Sequence, residues 1–138
     1  MAIEHKHILI NAKIMDPLDT YQAAIDFLDD LVESIGMKKL MGPLAAYVNT
    51  PGNQGVTAIV GIETSHIAFH IWDEEMPARL QFDLYTCGPL DKEIVINNFR
   101  GRLSQTLLHI FLLFYYIKLF ISLLFLFLLS AKIYFHLR

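Results

Sequence analysis

The sequence predicts an α+β protein built as a two-layer α/β sandwich, in which an antiparallel sheet carries helices on one face. Two segments, Ser65–Trp72 and Leu80–Cys87, alternate apolar and polar residues and are joined by a short loop, which is typical of a β-hairpin. Helical periodicity occurs once before the middle strands and again after Gly88-Pro89. The order strand, helix, strands, hairpin, helix therefore predicts the sandwich.

The N-terminal part predicts a strand followed by an amphipathic helix. Residues Ile3 to Met15 alternate loosely, and Asp16-Pro17 ends that strand. Asp19 or Thr20 can cap a helix that stops at Gly36, a natural C′ residue in the left-handed conformation. The apolar positions of this helix recur at spacings of three and four, so that one stripe packs on the sheet: Ile25, Leu28, Val32 and Ile35.

The middle of the chain predicts two further strands around a loop. Met37 to Val48 is extended but interrupted at Gly42-Pro43, where proline removes a ladder donor and indicates a bulge or an edge strand. The turn-forming residues from Asn49 to Gly55 predict a loop, and the apolar run Val56 to Ile62 predicts a buried strand. After the hairpin, Asp91 to Phe99 predicts a second amphipathic helix.

The hairpin concentrates reactive side chains on one face. Three apolar residues of its first strand point to one side, and His66 and His70 point to the other. The antiparallel register that stacks the apolar faces also returns the end of the second strand to the start of the first. Two histidines four residues apart on a strand are too distant to chelate one metal ion without other ligands, so no metal is expected. We therefore predict a site with four members: Ser65, His66, His70 and Cys87.

Composition narrows the classes of function. The net charge is −3, and Lys and Arg are scattered rather than gathered in a basic stripe, so we expect no nucleic-acid partner. Cys87 is the only cysteine, which excludes an internal disulfide, favours a reducing compartment and leaves the thiol free. Met1 to Lys13 carries charges and histidines where a signal peptide has an apolar stretch. These features predict a cytoplasmic protein.

Residues 100–138 differ in composition from the domain predicted over residues 1–99. Leu107 to Leu129 is almost continuously Leu, Phe, Ile and Tyr, with Lys118 as its only formal charge. A helix of this length, at about 1.5 Å per residue, can cross a bilayer core about 30 Å thick. We predict a hydrophobic C-terminal helix over 107–129. Three interpretations of it stay open: a membrane anchor, an element buried by the domain or a partner, and translated sequence from a shifted reading frame.

Three separated motifs stand in order along the hairpin: Ser65-His66, then His70-Ile71-Trp72, then Asp83-Leu84-Tyr85-Thr86-Cys87-Gly88. Together they resemble the prokaryotic S-adenosylmethionine decarboxylases, a family of pyruvoyl-dependent proenzymes. The resemblance covers roughly residues 5 to 99. It implies a carboxy-lyase that takes S-adenosylmethionine as substrate, supplies the aminopropyl donor for spermidine synthesis, and assembles as a homodimer of cleaved protomers.

The resemblance also implies the chemistry and the site residues. The proenzyme would cut its own chain between Thr64 and Ser65 through attack of the serine hydroxyl on the preceding carbonyl, and Ser65 would become an N-terminal pyruvoyl group. A ketone conjugated to an amide can form a Schiff base with a substrate amine and accept the electrons released when CO₂ leaves. By position, His70 would assist self-cleavage and Cys87 would reprotonate the product carbon. Thr57 stands where the family usually has a serine that helps processing.

Two departures from the family pattern leave alternatives open. Thr64 precedes the serine, where family members often have a charged residue such as glutamate, and Asn11 stands about where the family has a glutamate implicated in substrate binding. The first alternative is a pyruvoyl decarboxylase of another amino acid, such as arginine or ornithine. The second is an unprocessed, non-catalytic homologue that acts as a binding subunit.

Overall fold

The computed structural model describes residues 4–102 and 108–113, and within these it gives no account of the side chains of 102 and 108–113. Six strands and two helices follow one another along the described chain. In order they are β1 (Lys6–Ile14), α1 (Tyr21–Ser34), β2 (Lys39–Val48), β3 (Gly55–Ile62), β4 (Ser65–Trp72), β5 (Ala78–Thr86), α2 (Lys92–Arg102) and β6 (Leu108–Leu113).

All strands belong to one antiparallel sheet with the order β2-β3-β4-β5-β1-β6. Both helices pack on the same face of it, because α1 contributes Phe27 and α2 contributes Phe99 to a core that contains Phe82 of β5. The Phe99 ring lies 5.1 Å from the ring of Phe27 and 4.7 Å from that of Phe82, centroid to centroid. The predicted α+β two-layer sandwich, with helices on one face, is confirmed.

The opposite face of the sheet carries no helix in the described part of the chain. Strict alternation in β1, β3, β4 and β5 sends apolar side chains to the helix side and leaves the intervening residues on what we call the open face. It includes polar and aromatic side chains that are partly or fully exposed, among them His7, Asn11, Thr57, His66, His70, Trp72, Arg79, Gln81, Asp83 and Tyr85. The site residues of the hairpin therefore lie on or beside a sheet surface that water reaches.

Local signals place the ends of the elements as expected. The Thr20 hydroxyl accepts a hydrogen bond of 3.1 Å from the backbone N–H of Ala23, so Thr20 is the N-cap of α1. Gly36 follows the C-cap with φ +66°, a conformation that suits glycine. β2 is an edge strand, and its register with β3 shifts between Met41 and Leu44, around Pro43. The bulge and the edge position that proline predicts are both confirmed.

The prediction of a hydrophobic helix over 107–129 is wrong for Leu108–Leu113. These residues form β6, which pairs antiparallel with β1 from His7 opposite Leu113 to Ala12 opposite Leu108. The outer edge of β1 offers unpaired backbone N–H and C=O groups, which an apolar segment that returns beside it can satisfy. The remainder of the predicted helix lies outside the described residues. In the described ranges, neither helix has the length and apolar character needed to cross a membrane.

Candidate active site

The bond between Thr64 and Ser65 lies in the tight turn that joins β3 to β4. Ile62 and Ser65 are partners across these two strands, so only Glu63 and Thr64 form the turn. On the other side of β4, Ser65 pairs with Thr86 at the end of β5. The register predicted for the hairpin is confirmed, since the end of its second strand returns beside the residue that begins its first.

Ser65 has a backbone conformation that side-chain-bearing residues rarely adopt. Its φ is 151°, in a region populated almost only by glycine, and it is the one non-glycine residue with positive φ in the described chain. Such a conformation costs of the order of 1–3 kcal/mol and persists only where surrounding contacts enforce it. The strained residue therefore directly follows the peptide bond at which the resemblance implies cleavage.

The carbonyl of Thr64 faces two donors from Cys87. The backbone N–H of Cys87 donates to the Thr64 oxygen at 3.2 Å, and the thiol lies 3.5 Å from the same oxygen. A hydroxyl that adds to this carbonyl carbon would transfer negative charge to the oxygen, and donors already aimed at it stabilise that charge. Cys87 is exposed and makes no disulfide, so its thiol is accessible to a small molecule.

The side chain of Thr64 is fixed by the end of β5. The buried Thr86 hydroxyl donates to the Thr64 hydroxyl at 2.7 Å and accepts from the backbone N–H of Gly88 at 3.0 Å. A Cβ added to Gly88 would lie 3.0 Å from the Thr64 methyl carbon, so glycine there allows the two segments to approach. Sequence reasoning did not single out Thr86 or Gly88, although both belong to the quoted Asp-Leu-Tyr-Thr-Cys-Gly motif.

The side chain of His66 is hydrogen-bonded to the side chain of Ser65. Its Nδ1 lies 3.1 Å from the Ser65 hydroxyl oxygen, and its Nε2 lies 3.5 Å from Oδ1 of Asp83. The other carboxylate oxygen of Asp83 is 2.9 Å from Nε2 of His7 on β1. His7 was not predicted as a site residue, because β1 is far from the hairpin in the sequence and only the sheet order brings it next to β5. Asp83 belongs to the hairpin itself, in the Asp-Leu-Tyr-Thr-Cys-Gly motif, but was not predicted as a site residue either.

His70 does not lie beside Ser65 in the same chain. The two residues are five positions apart on β4, which is about 16 Å at roughly 3.3 Å per residue. His70 instead shares a short hydrogen bond through Nδ1 with the hydroxyl of Thr57, its partner on β3. Its Nε2 is buried with no hydrogen-bond partner in the described part of the chain. Burial lowers the pKa of His70, and the negative charge of Asp73 opposes that shift.

A groove flanks the His70 end of the strand. Asn11, Trp72, Arg79 and Gln81 line it, and its volume is about 460 Å³. The Arg79 guanidinium lies 5.4 Å from the centroid of the Trp72 ring, within reach of a cation–π interaction. The Trp72 ring also lies 4.1 Å from the His70 ring. The Asn11 position, which departs from the family pattern, therefore belongs to this groove and not to the surroundings of Ser65.

Across residues 4–102 and 108–113, no group of three or more His, Cys, Asp or Glu side chains is arranged to hold a metal ion. The cluster of His7, His66 and Asp83 contains suitable donors, but its nitrogens already face the serine hydroxyl and the carboxylate. The arrangement supports proton transfer and carbonyl polarisation.

The chain thus combines an antiparallel sheet covered by helices on one face with a serine at a strained turn, beside a cysteine. A family model described as S-adenosylmethionine decarboxylase matches residues 6–112. The chain belongs to the S-adenosylmethionine decarboxylase family. It is 30% identical over 77 residues to the S-adenosylmethionine decarboxylase proenzyme of Persephonella marina (strain DSM 14350 / EX-H1). The alignment covers 56% of this chain and 53% of that relative, so the chain matches about half of the relative's length.

Proposed function

We propose that the chain is a proenzyme that cuts itself between Thr64 and Ser65 and then decarboxylates S-adenosylmethionine, the product serving as aminopropyl donor for spermidine synthesis. The observation that carries this proposal is the environment of one peptide bond. Its carbonyl oxygen faces the N–H and the thiol of Cys87, and the next residue is a serine with φ 151°. Family membership supplies the substrate class.

Self-cleavage needs only water besides the residues present. The Ser65 hydroxyl oxygen bonds to the Thr64 carbonyl carbon while the bond from that carbon to the Ser65 nitrogen breaks, which converts the amide to an ester. Loss of the Ser65 α-proton then expels the Thr64 carboxylate and leaves a carbon–carbon double bond. This tautomerises to an imine, and one water hydrolyses it with release of ammonia. The products are a chain that ends at Thr64 and a chain that begins with a pyruvoyl group.

Ser65 fits the role of pyruvoyl precursor because it begins β4, so cleavage frees its nitrogen without removing the rest of the strand from the sheet. A pyruvoyl carbonyl supplies an acceptor for the electrons that decarboxylation releases. Cys87 directly follows β5, its thiol lies 3.5 Å from the Thr64 carbonyl oxygen, and the residue is exposed. We assign Cys87 the return of a proton to the product carbon.

The separation of Ser65 from His70 bears on the predicted homodimer. Within one chain His70 cannot reach the serine, so a role for it in cleavage or turnover requires a second copy. The open face carries the Ser65 end and the His70 groove about 16 Å apart on one strand. Two copies related by a twofold axis between these points would place the groove of each beside the serine of the other. We propose this assembly, with S-adenosylmethionine between the two ends.

The groove also bears on the alternative substrate. Asn11, which lines it, offers a neutral amide where the family has a glutamate implicated in substrate binding. This departure motivates the alternative of a pyruvoyl decarboxylase of another amino acid, such as arginine or ornithine. Release of labelled CO₂ from the three compounds, measured in parallel with one preparation, decides between them.

The test of self-processing is the intact mass of the purified full chain. We expect two fragments divided at Thr64–Ser65, the second lighter by one ammonia than simple hydrolysis would give. Ser65→Ala removes the hydroxyl and is expected to leave one chain. A single uncut wild-type chain after long incubation contradicts the enzyme proposal and favours the non-catalytic homologue, for which binding of S-adenosylmethionine without CO₂ release is then measured.

A further inference from the structure

We propose that His66 is a catalytic residue of self-cleavage that accepts the Ser65 hydroxyl proton, with Asp83 and His7 as positioning residues behind it. This inference rests on the proposed self-processing and assigns the base that the cleavage step requires. The resemblance pointed to His70 for assistance, but His70 lies about 16 Å from the serine along β4 in the same chain.

The first link is the contact between serine and histidine. Nδ1 of His66 lies 3.1 Å from the Ser65 hydroxyl oxygen, which is hydrogen-bonding distance for a hydroxyl that donates to an imidazole nitrogen. The partner of His66 on β3 is Gly61, which contributes no side chain, and the Met41 side chain fills the place that a Cβ of Gly61 would take. A general base must be within reach of the proton that it removes, and His66 is the histidine that meets this condition in the described chain.

The second link fixes which nitrogen of His66 is free to accept. Oδ1 of Asp83 is buried, makes no hydrogen bond among the described residues, and lies 3.5 Å from Nε2 of His66. That separation is longer than a hydrogen bond, and a small rotation of the ring closes it. Because a carboxylate accepts only, it favours the tautomer with hydrogen on Nε2, which leaves the Nδ1 lone pair for the serine.

The third link holds the carboxylate. Oδ2 of Asp83 is bound by Nε2 of His7 at 2.9 Å, so the carboxylate is anchored from β1 while Oδ1 stays directed at His66. Tyr85, the partner of His66 on β5, lies 6.2 Å away by ring centroids and has its hydroxyl bound to His5. The ionisable groups that face His66 are therefore Asp83 and Tyr85 from β5, with His7 of β1 behind Asp83.

The proton transfer balances without a co-reactant. The Ser65 hydroxyl oxygen forms a bond to the Thr64 carbonyl carbon as its proton moves to Nδ1 of His66. The bond between that carbon and the Ser65 nitrogen breaks, and the same proton passes from His66 to the leaving nitrogen. The negative charge that appears on the Thr64 oxygen is met by the two donors of Cys87.

The experiment follows cleavage of the full chain after a pulse of cell-free synthesis, by gel and intact mass. We expect His66→Ala to slow cleavage by about 10²–10⁴-fold, the range typical of a lost general base, and added imidazole to restore part of the rate. Wild-type cleavage is expected to slow at acidic pH, where a protonated imidazole cannot accept a proton, and His66→Ala to lose this dependence. His66→Gln provides a second variant of similar size, and circular dichroism checks that each folds.

His5→Ala is the matched control, since it removes another histidine of the same face that bonds Tyr85 and not Ser65. Asp83→Asn is expected to slow cleavage less than His66→Ala does and to change its pH profile. If the wild type cleaves, and folded His66→Ala and His66→Gln variants cleave at the wild-type rate with the wild-type pH profile, the proposed role of His66 is overturned and self-processing is not. If the wild type never cleaves, the self-processing proposal is overturned, and the proposed role of His66 is overturned with it.

Discussion

The two ends of β4 carry different kinds of site. At the Ser65 end, Ser65 has a strained φ, and Thr64 before it accepts hydrogen bonds from Thr86, the last residue of β5, and from Cys87, so these contacts surround a peptide bond of the protein itself. At the His70 end, a groove opens between side chains of β1, β4 and β5, and the buried nitrogen of His70 has no partner in the described chain. The comparison indicates that one end suits chemistry on the backbone and the other suits binding of a small molecule.

The largest expected effect is on the rate of cleavage when Ser65 and His70 are supplied by two different chains. Ser65→Ala and His70→Ala variants are produced separately and together, and cleavage of the His70→Ala chain is measured. If the partner's His70 acts at Ser65, the His70→Ala chain cleaves slowly alone and faster when the Ser65→Ala chain supplies an intact His70. If the His70→Ala chain cleaves at the same rate with and without the Ser65→Ala chain, His70 of a partner does not act in cleavage, and its role is confined to the groove. The mixture with buffer in place of the second chain is the control.

A second prediction divides the two roles of Cys87. Cys87→Ala keeps the backbone N–H donor to the Thr64 oxygen, so cleavage is expected to slow only modestly. Turnover is expected to fall by about 10²-fold or more, because the proton donor is lost. Pre-cleaved enzyme separates the two rates in a CO₂-release assay. Cys87→Ser, which retains a hydroxyl of similar shape, is the companion variant, and unchanged turnover in Cys87→Ala would refute the acid role.

A third prediction concerns Thr86, which holds Thr64 in place. Thr86→Val keeps the shape and removes a buried hydroxyl that both donates and accepts, at an expected cost of about 1–3 kcal/mol in the free energy of unfolding. Denaturant unfolding of the uncleaved Ser65→Ala background measures the cost without interference from processing. Thr86→Ser is expected to retain most of the stability, whereas equal losses in both variants would point to packing of the methyl group instead.

The smallest expected effect is the pH dependence of stability at the groove. Burial lowers the pKa of folded His70 below the value that it has in the unfolded chain, so the unfolded state binds more protons as the pH falls. Stability should therefore decrease as the pH drops from the ordinary histidine range towards the folded pKa, and level off below it. Melting temperatures of Ser65→Ala with and without His70→Gln measure this. Identical pH profiles for the two proteins would contradict it.

Local pattern was sufficient for much of the fold. Alternation identified which side chains of β4 and β5 share a face, and the Thr20 and Gly36 signals located the ends of α1. These features depend on residues close in the chain, which is why the sequence reveals them. The prediction of a helix was wrong for Leu108–Leu113. An apolar run can form a helix or a strand, and pairing with the edge of β1 decided between the two.

The sequence by itself determined that Ser65, His66 and Cys87 would meet, since a hairpin with a short loop allows one register that buries its apolar side. The tertiary structure alone decided the rest of the site. It gave Ser65 its φ of 151° and brought His7 of β1 to Asp83. The physical reason is that strand order and backbone strain depend on how distant segments pack, whereas periodicity records only the two faces of each strand.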